Sequence, residues 1–232
     1  MSAVRLAVFD MDGTLLDSLP DLAACCRDIL EQCGLPLLSD TQVRTMIGSG
    51  VQVLLERAFK ASMDMQQAVT GHVPDLPFST EEAVGRFMEV YTPRATRLSR
   101  LFPGTEEALL DLRAQGWALA VCTNKPEHAA RRILADFKLT DLFAAVGGGD
   151  SFVARKPDVR HLLGTIAQAG GTPEKSVMVG DMPPDYLAAQ AAGCPFVFAC
   201  WGYGTAQQVR NPRLQAATMR DVPALLARCI PS

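Results

Sequence analysis

The stretch "LAVFDMDGTLLDS" occupies residues 6–18. Leu6, Ala7, Val8 and Phe9 run without a polar break into Asp10-Met11-Asp12-Gly13-Thr14. A continuous apolar run of this kind suits a strand covered on both faces, whereas a half-exposed strand would alternate. Such a strand could simply turn at the surface, since Asp and Gly are ordinary turn residues. It could also deliver both carboxylates to one place, because residues two apart in an extended segment share a face.

The same kind of run recurs in "WALAVCTN" (117–124), "FAAVGGGD" (143–150), "SVMVGD" (176–181) and "PFVFAC" (195–200). Between the runs lie segments with helical periodicity, at 105–116, 126–137, 157–170 and 185–193. Pro126 and Pro157 suit first-turn positions, and glycines close two of the segments. Strand and helix in alternation imply right-handed crossovers, so the expected fold class is α/β with a doubly wound parallel sheet. One connection breaks the rhythm. The stretch between the first strand and "LFPGTEEAL" is too long for a loop and shows helical periodicity at 18–34, 40–48, 51–63 and 79–98, with an irregular "TGHVPDLP" at 70–77. Residues 1–17 and 102–232 are therefore expected to form the core domain, and 18–101 an inserted α-helical subdomain.

Composition narrows the function classes. Hydrophobic residues make up 48% of the 232, charged residues 20%, and the net charge is −3, as in an ordinary soluble globular protein. This balance gives no footprint for nucleic acid and no polybasic surface for anionic lipid. No apolar run approaches a membrane span, and the N-terminal apolar run is too short for a signal peptide, so a cytoplasmic location is expected. The seven cysteines form no CxxC pair and read as free thiols, and the three histidines, His72, His128 and His161, read as structural or surface residues.

The polar residues worth naming sit at strand ends, where open α/β sheets bind ligands. Asp10 and Asp12 follow the first strand, Thr123 and Asn124 the second, and Gly180 and Asp181 a later one, with Lys156 in the loop after "AAVGGGD". Phosphoryl transfer needs a nucleophile, neutralisation of phosphate charge and a proton for the leaving group. Asp10 can attack and form an aspartyl-phosphate, while Asp12 can carry the proton. Asp10, Asp12, Asp181 and Asp185 can furnish carboxylates for Mg²⁺, with Asp185 one helical turn beyond Asp181 as an outer support. Thr123 and Asn124, before a helix N-terminus at Pro126, suit phosphate binding, and Lys156 supplies a fixed positive charge. In the helical insert, Gly48-Ser49-Gly50 joins two expected helices, and the backbone N–H groups of Gly48 and Gly50 could bind a substrate carboxylate. The glycines at 147–149 lack the Gly-Lys-Ser/Thr that would mark a nucleotide loop.

"DMDGT", "TN", Lys156 before a proline and "GDMPPD" resemble, in order, the four motifs of the haloacid dehalogenase superfamily. That resemblance implies a Rossmann-like core, a helical cap that opens and closes, and a reverse turn at Gly13-Thr14. It further implies Mg²⁺ as cofactor and a small phosphate ester as substrate, with Asp10, Asp12 and Lys156 catalytic and Gly13 near the phosphate. Aspartate at position 12 speaks against dehalogenases and phosphonate-cleaving members. "VRTMIGSGVQVLLERAF", "GGDSFVARKPDVRHLL" and "WGYGT" look like the phosphoglycolate phosphatase branch, which implies hydrolysis of 2-phosphoglycolate; a monomer or homodimer is expected, the sequence itself not choosing between them. Alternatives are a phosphatase of a sugar phosphate or pyrophosphate, a β-phosphoglucomutase-like phosphomutase, and a non-catalytic binding protein on the same fold. One departure stands out: the family often has Ser or Thr after Gly180-Asp181, where this chain has Met182-Pro183-Pro184, which predicts weaker Mg²⁺ binding.

Overall fold

The computed structural model describes residues 4–72 and 74–231. Eight strands and nine α-helices are found among the described residues. The strands are β1 (Leu6–Phe9), β2 (Leu16–Asp17), β3 (Arg100–Leu101), β4 (Ala118–Cys122), β5 (Ala145–Gly147), β6 (Ser176–Gly180), β7 (Phe196–Ala199) and β8 (Gln215–Ala216). The helices are α1 (Leu19–Gln32), α2 (Asp40–Arg44), α3 (Val51–Thr70), α4 (Thr80–Tyr91), α5 (Thr105–Ala114), α6 (Glu127–Asp136), α7 (Val159–Gln168), α8 (Pro183–Ala192) and α9 (Val222–Cys229).

Six strands form one parallel sheet in the order β5-β4-β1-β6-β7-β8. Strand β1 lies inside it, with Phe9 opposite Val121 of β4 on one side and Val179 of β6 on the other. All four of its side chains are fully buried, which accounts for the unbroken apolar run that opens the sequence. The chain moves outward through β4 and β5, then crosses back over β1 to β6. Beside β1 the strand order reverses, and an open α/β sheet binds ligands outside the carboxyl ends of the strands at such a point.

The expected doubly wound α/β architecture is the one observed. Strand β8 and helix α9 are additions that the patterning did not foresee. So is the antiparallel pair β2–β3, in which Leu16 faces Leu101 and Asp17 faces Arg100. Two-residue strands carry no period to read. The chain divides into two compact units, one running through Asp17 and resuming at Arg100, the other Ser18–Ser99. The first unit resumes two residues earlier than expected, because Arg100 and Leu101 pair with β2.

Within Ser18–Ser99 the four helices pack on one another around Ile29, Leu30, Leu55, Phe87 and Tyr91, with the last two rings stacked at 5.6 Å. Capping boxes at Ser39 with Gln42 and at Ser79 with Glu82 fix the starts of α2 and α4. Helix α2 stops at Arg44, short of the expected 48, and α3 continues past the expected 63 to Thr70. Gly71 closes α3 at φ 70°, and the irregular stretch expected at 70–77 includes residue 73, which lies outside the described residues. Gly48 and Gly50 both take positive φ, 108° and 90°, and Gly50 is the N-cap of α3. Among the described residues no helix is long and apolar enough to cross a membrane.

Candidate active site

Strand β1 hands its chain directly to the site. The ladder extends one residue beyond Phe9, where the Asp10 N–H donates to Val179 O at 2.9 Å. The backbone then turns tightly: the N–H groups of Thr14, Leu15 and Leu16 all converge on Met11 O, and Gly13 N–H donates to Leu16 O. Gly13 sits at φ 86°, and a Cβ there would lie 2.3 Å from Asp181 Oδ2. Glycine is required twice over, for the turn and for the close approach.

Two further segments deliver their side chains to the end of β1. Asp181 follows β6 and Asp185 occupies the first turn of α8, and with Asp10 each offers one oxygen within 4.8 Å of the others. Lys156 arrives from the loop before α7, its Nζ 3.0 Å from Asp10 Oδ1 and 2.6 Å from Asp185 Oδ1, and it also donates to Cys122 O. All four groups are buried. Gly180 is held to glycine because a Cβ there would meet the Asp185 carboxylate at 2.5 Å.

The charge balance of this cluster is uneven, three carboxylates around one ammonium. Burial, the Asp185 charge and, to a lesser degree, the Asp12 charge push Asp10 up to about 7 against the pull of Lys156. Burial, Asp185 and Asp10 raise Asp181 well above the carboxylate range, although Tyr203 N–H and Thr14 Oγ1 donate to it at 2.8 and 2.9 Å. Burial alone would favour loss of the Lys156 proton, but Asp10 and Asp185 outweigh it and hold the ammonium charged. Upward shifts on both partners of the Asp10–Lys156 pair are consistent, because the lysine is shared among more negative charge than it can neutralise. Buried carboxylate oxygens in excess over cations are the donor set a hard divalent metal ion takes, and these residues fit one.

Asp12 is placed differently from the expectation that joined it to the other three carboxylates. Its Oδ2 pairs with Lys125 Nζ at 3.1 Å, and its buried Oδ1 has no hydrogen-bond partner among the described residues. Asp185 has both oxygens engaged, Oδ1 by Lys156 and Oδ2 by Met182 N–H at 3.0 Å, as suits an outer support. Pro183 and Pro184 take the first two positions of α8, where no N–H is required, so the departure after Asp181 leaves the helix start intact.

Thr123 extends β4 by donating its N–H to Gly147 O at 2.9 Å, and Asn124 Nδ2 donates to Lys156 O at 2.9 Å. The triple glycine is a packing device. A Cβ on Gly148 would lie 2.4 Å from the Glu127 backbone and one on Gly149 2.4 Å from Asn124 O. The expectation of open amides at the start of α6 is corrected at Glu127, whose N–H is taken by Asp150 Oδ1 at 2.7 Å.

Three supporting groups were not placed at the site by the sequence, although His161 was read as structural or surface. Lys125 stood beside the Thr-Asn pair, and that adjacency was its signal. His161 Nδ1 accepts from Lys156 N–H at 3.0 Å while Nε2 faces Gly147 O at 3.2 Å, which assigns the neutral Nε2–H tautomer. Burial and the Lys156 charge push His161 down to about 4. "WGYGT", named in the sequence for its resemblance, clamps the acidic turn. Trp201 Nε1 donates to Thr14 O, Tyr203 OH to Asp17 Oδ1, and a Cβ on Gly202 would lie 2.3 Å from Asp181 Cβ. Its two glycines were the signal.

Comparison with known proteins points to one family. The family model of haloacid dehalogenase-like hydrolases matches residues 7–199. The phosphoglycolate phosphatase of Caulobacter vibrioides is 41% identical over 84% of this chain and 78% of that protein. That of Pseudomonas putida is 36% identical over 97% of this chain and 79% of its own length. A crystal structure of a predicted phosphoglycolate phosphatase from Haemophilus somnus superposes with a TM-score of 0.87 at 32% identity, covering 97% of this chain and 99% of that one.

Proposed function

The chain belongs to the haloacid dehalogenase-like hydrolases, and from that premise we propose a Mg²⁺-dependent phosphatase that hydrolyses 2-phosphoglycolate to glycolate and inorganic phosphate. The observation that carries the proposal is the cluster of Asp10, Asp181, Asp185 and Lys156 at the carboxyl end of the inner strand. The substrate is drawn from the relatives in Caulobacter and Pseudomonas, which bear that activity in their names.

On this reading an Asp10 oxygen attacks phosphorus, the P–O bond to glycolate breaks, and Asp12 gives its proton to the departing oxygen. Water then attacks the aspartyl-phosphate, Asp12 takes the proton back, and the Asp10–phosphorus bond breaks to release phosphate. Mg²⁺ held by Asp10 and Asp181, with Asp185 behind them, would supply charge neutralisation at the phosphate oxygens. Asp10 must attack as the anion, so a nearby cation that lowers its pKa serves the step directly. Lys156 holds Asp10 in place, and Thr123 and Asn124 offer a hydroxyl and an amide to the phosphate. Gly13 acts by keeping the Asp181 side uncrowded. Gly48 and Gly50 enter only on the chemistry of their own turn, as backbone donors for an anionic substrate group.

The test is phosphate release from 2-phosphoglycolate beside ethyl phosphate, sugar phosphates, nucleotides and pyrophosphate, with Mg²⁺ present and Asp10→Asn as control. A kcat/KM preference for 2-phosphoglycolate that vanishes in the control is expected. Preference for another ester would move the substrate, and activity surviving in the control would overturn the nucleophile.

A further inference from the structure

We propose that Lys125 determines specificity by pairing with the carboxylate of the leaving group, an inference that rests on the phosphoglycolate reading above. Lys125 is a second buried lysine of the core unit, its side chain only 4% exposed. Its backbone is locked: the N–H donates to Thr123 Oγ1 at 3.3 Å and the carbonyl accepts from Gly149 N–H at 2.8 Å. That loop carries the two phosphate-side candidates, Thr123 and Asn124, so the ammonium is fixed relative to both.

Its partner defines where it stands. Lys125 Nζ lies 3.1 Å from Asp12 Oδ2. In the proposed reaction Asp12 works on the oxygen that bridges phosphorus to the leaving group, within hydrogen-bond reach of it, about 2.6–3.2 Å. A cation one contact from Asp12 is therefore on the leaving-group side. In 2-phosphoglycolate a single methylene separates the bridging oxygen from the carboxylate. An ester whose carboxylate is one carbon away brings that anion to the same side as Lys125. The division of labour between the two buried lysines follows: Lys156 serves the nucleophile with Asp10 and Asp185, and Lys125 serves the leaving group with Asp12.

The arrangement selects as well as binds. An ammonium has three donors in tetrahedral array and can hold Asp12 and a second carboxylate together. A substrate lacking the carboxylate forgoes that charged bond, and sites built around a charged bond discriminate strongly against analogues that lack the matching group.

Lys125→Met removes the charge while keeping an unbranched side chain. Because Lys125 also touches Asp12, all substrates will slow, so the readout is the ratio of kcat/KM for 2-phosphoglycolate over ethyl phosphate. The ratio is expected to fall about 10- to 100-fold, mainly through KM for 2-phosphoglycolate, with partial rescue in Lys125→Arg. A binding measurement free of turnover accompanies it: the preference for phosphonoacetate over methylphosphonate, which the variant should lose. Lys125→Gln takes the place of the Met variant if the latter fails to fold. A ratio and an analogue preference unchanged from the parent would overturn the proposal and leave Lys125 as a positioning residue for Asp12. A parent enzyme that does not prefer 2-phosphoglycolate over ethyl phosphate would show, before any variant is made, that the substrate reading itself has failed.

Discussion

Each unit of this protein buries a carboxylate, and the two are treated in opposite ways. Asp21, in the helical unit, is 2% exposed and accepts from Leu98 N–H, Ser99 N–H and Ser99 Oγ at 2.7–3.1 Å. These donors lie at the far end of the unit's sequence, so the charge ties its first helix to its last residues. Asp10, in the core unit, is equally buried but shares Lys156 with Asp185 and stands near a third carboxylate. A buried charge with its hydrogen bonds complete acts as a tie. One left short of compensation is raised in free energy until a cation or substrate arrives, and such perturbed carboxylates mark functional sites.

The largest effect expected from this contrast is on Asp10. Asp10→Asn should lower kcat/KM on the order of 10⁴-fold or more, the scale for loss of a nucleophile. The same variant should raise the melting temperature of metal-free protein at pH 8. Asp10 folded near 7 against an ordinary 3.8 means the native state favours the protonated form. That contribution is present at acid pH and lost as pH rises through about 7, so removing the charge helps most above it. A variant both inactive and less stable at pH 8 would place Asp10 with the ties.

Asp21 should give the mirror image. Asp21→Ala leaves two backbone N–H groups and a hydroxyl without their acceptor and should cost about 3 kcal/mol in denaturant unfolding. Asp21→Asn, which keeps one acceptor oxygen, should cost less. Faster hydrogen exchange at the Leu98 and Ser99 amides would report the loss locally. If Asp21→Ala is neutral, the charge is not a tie and the contrast fails.

The legibility of the two regions differs for a physical reason. The core site was readable because strand ends carry its chemistry: an unbroken apolar run predicts a doubly covered strand, and the polar residue that follows must emerge at the sheet's edge. Asp10, Lys156 and Asp181 could be named that way. The groups behind them could not. Lys125, His161 and Tyr203 act through contacts between segments remote in sequence, such as Tyr203 N–H to Asp181 and Tyr203 OH to Asp17. No local period records such a contact. The Asp21 tie was invisible for the same reason, its partners lying more than seventy residues downstream. The strands β2, β3 and β8 were too short to alternate, whereas the boundaries of α5 and α6 came within two residues because amphipathic helices advertise their period.

The smallest expected effect sharpens the contrast from the side of a group that is buried neutral. His161 is fully buried against Lys156, Gly147 and the Phe152 ring, and its pKa is pushed down to about 4 from 6.5 by burial and by the Lys156 charge. Above pH 6.5 the ring is neutral folded or unfolded, and its contribution is whole. As pH falls from 6.5 toward 4 the unfolded chain takes up a proton that the folded one refuses, so stability is lost across that window, by about 3 kcal/mol at its lower end. Asp10 works in the opposite sense over much of the same range, so the parent's own profile mixes the two. The difference between parent and His161→Gln isolates the histidine. The variant should be less stable than the parent at pH 7.5, having lost the ring's packing and its bond from Lys156 N–H, and the gap should narrow steadily as pH drops to 4.5. Urea unfolding at several pH values measures it. A gap that stays constant with pH would mean that His161 titrates normally in the folded protein, and that the neutral support assigned to it beneath Lys156 is wrong.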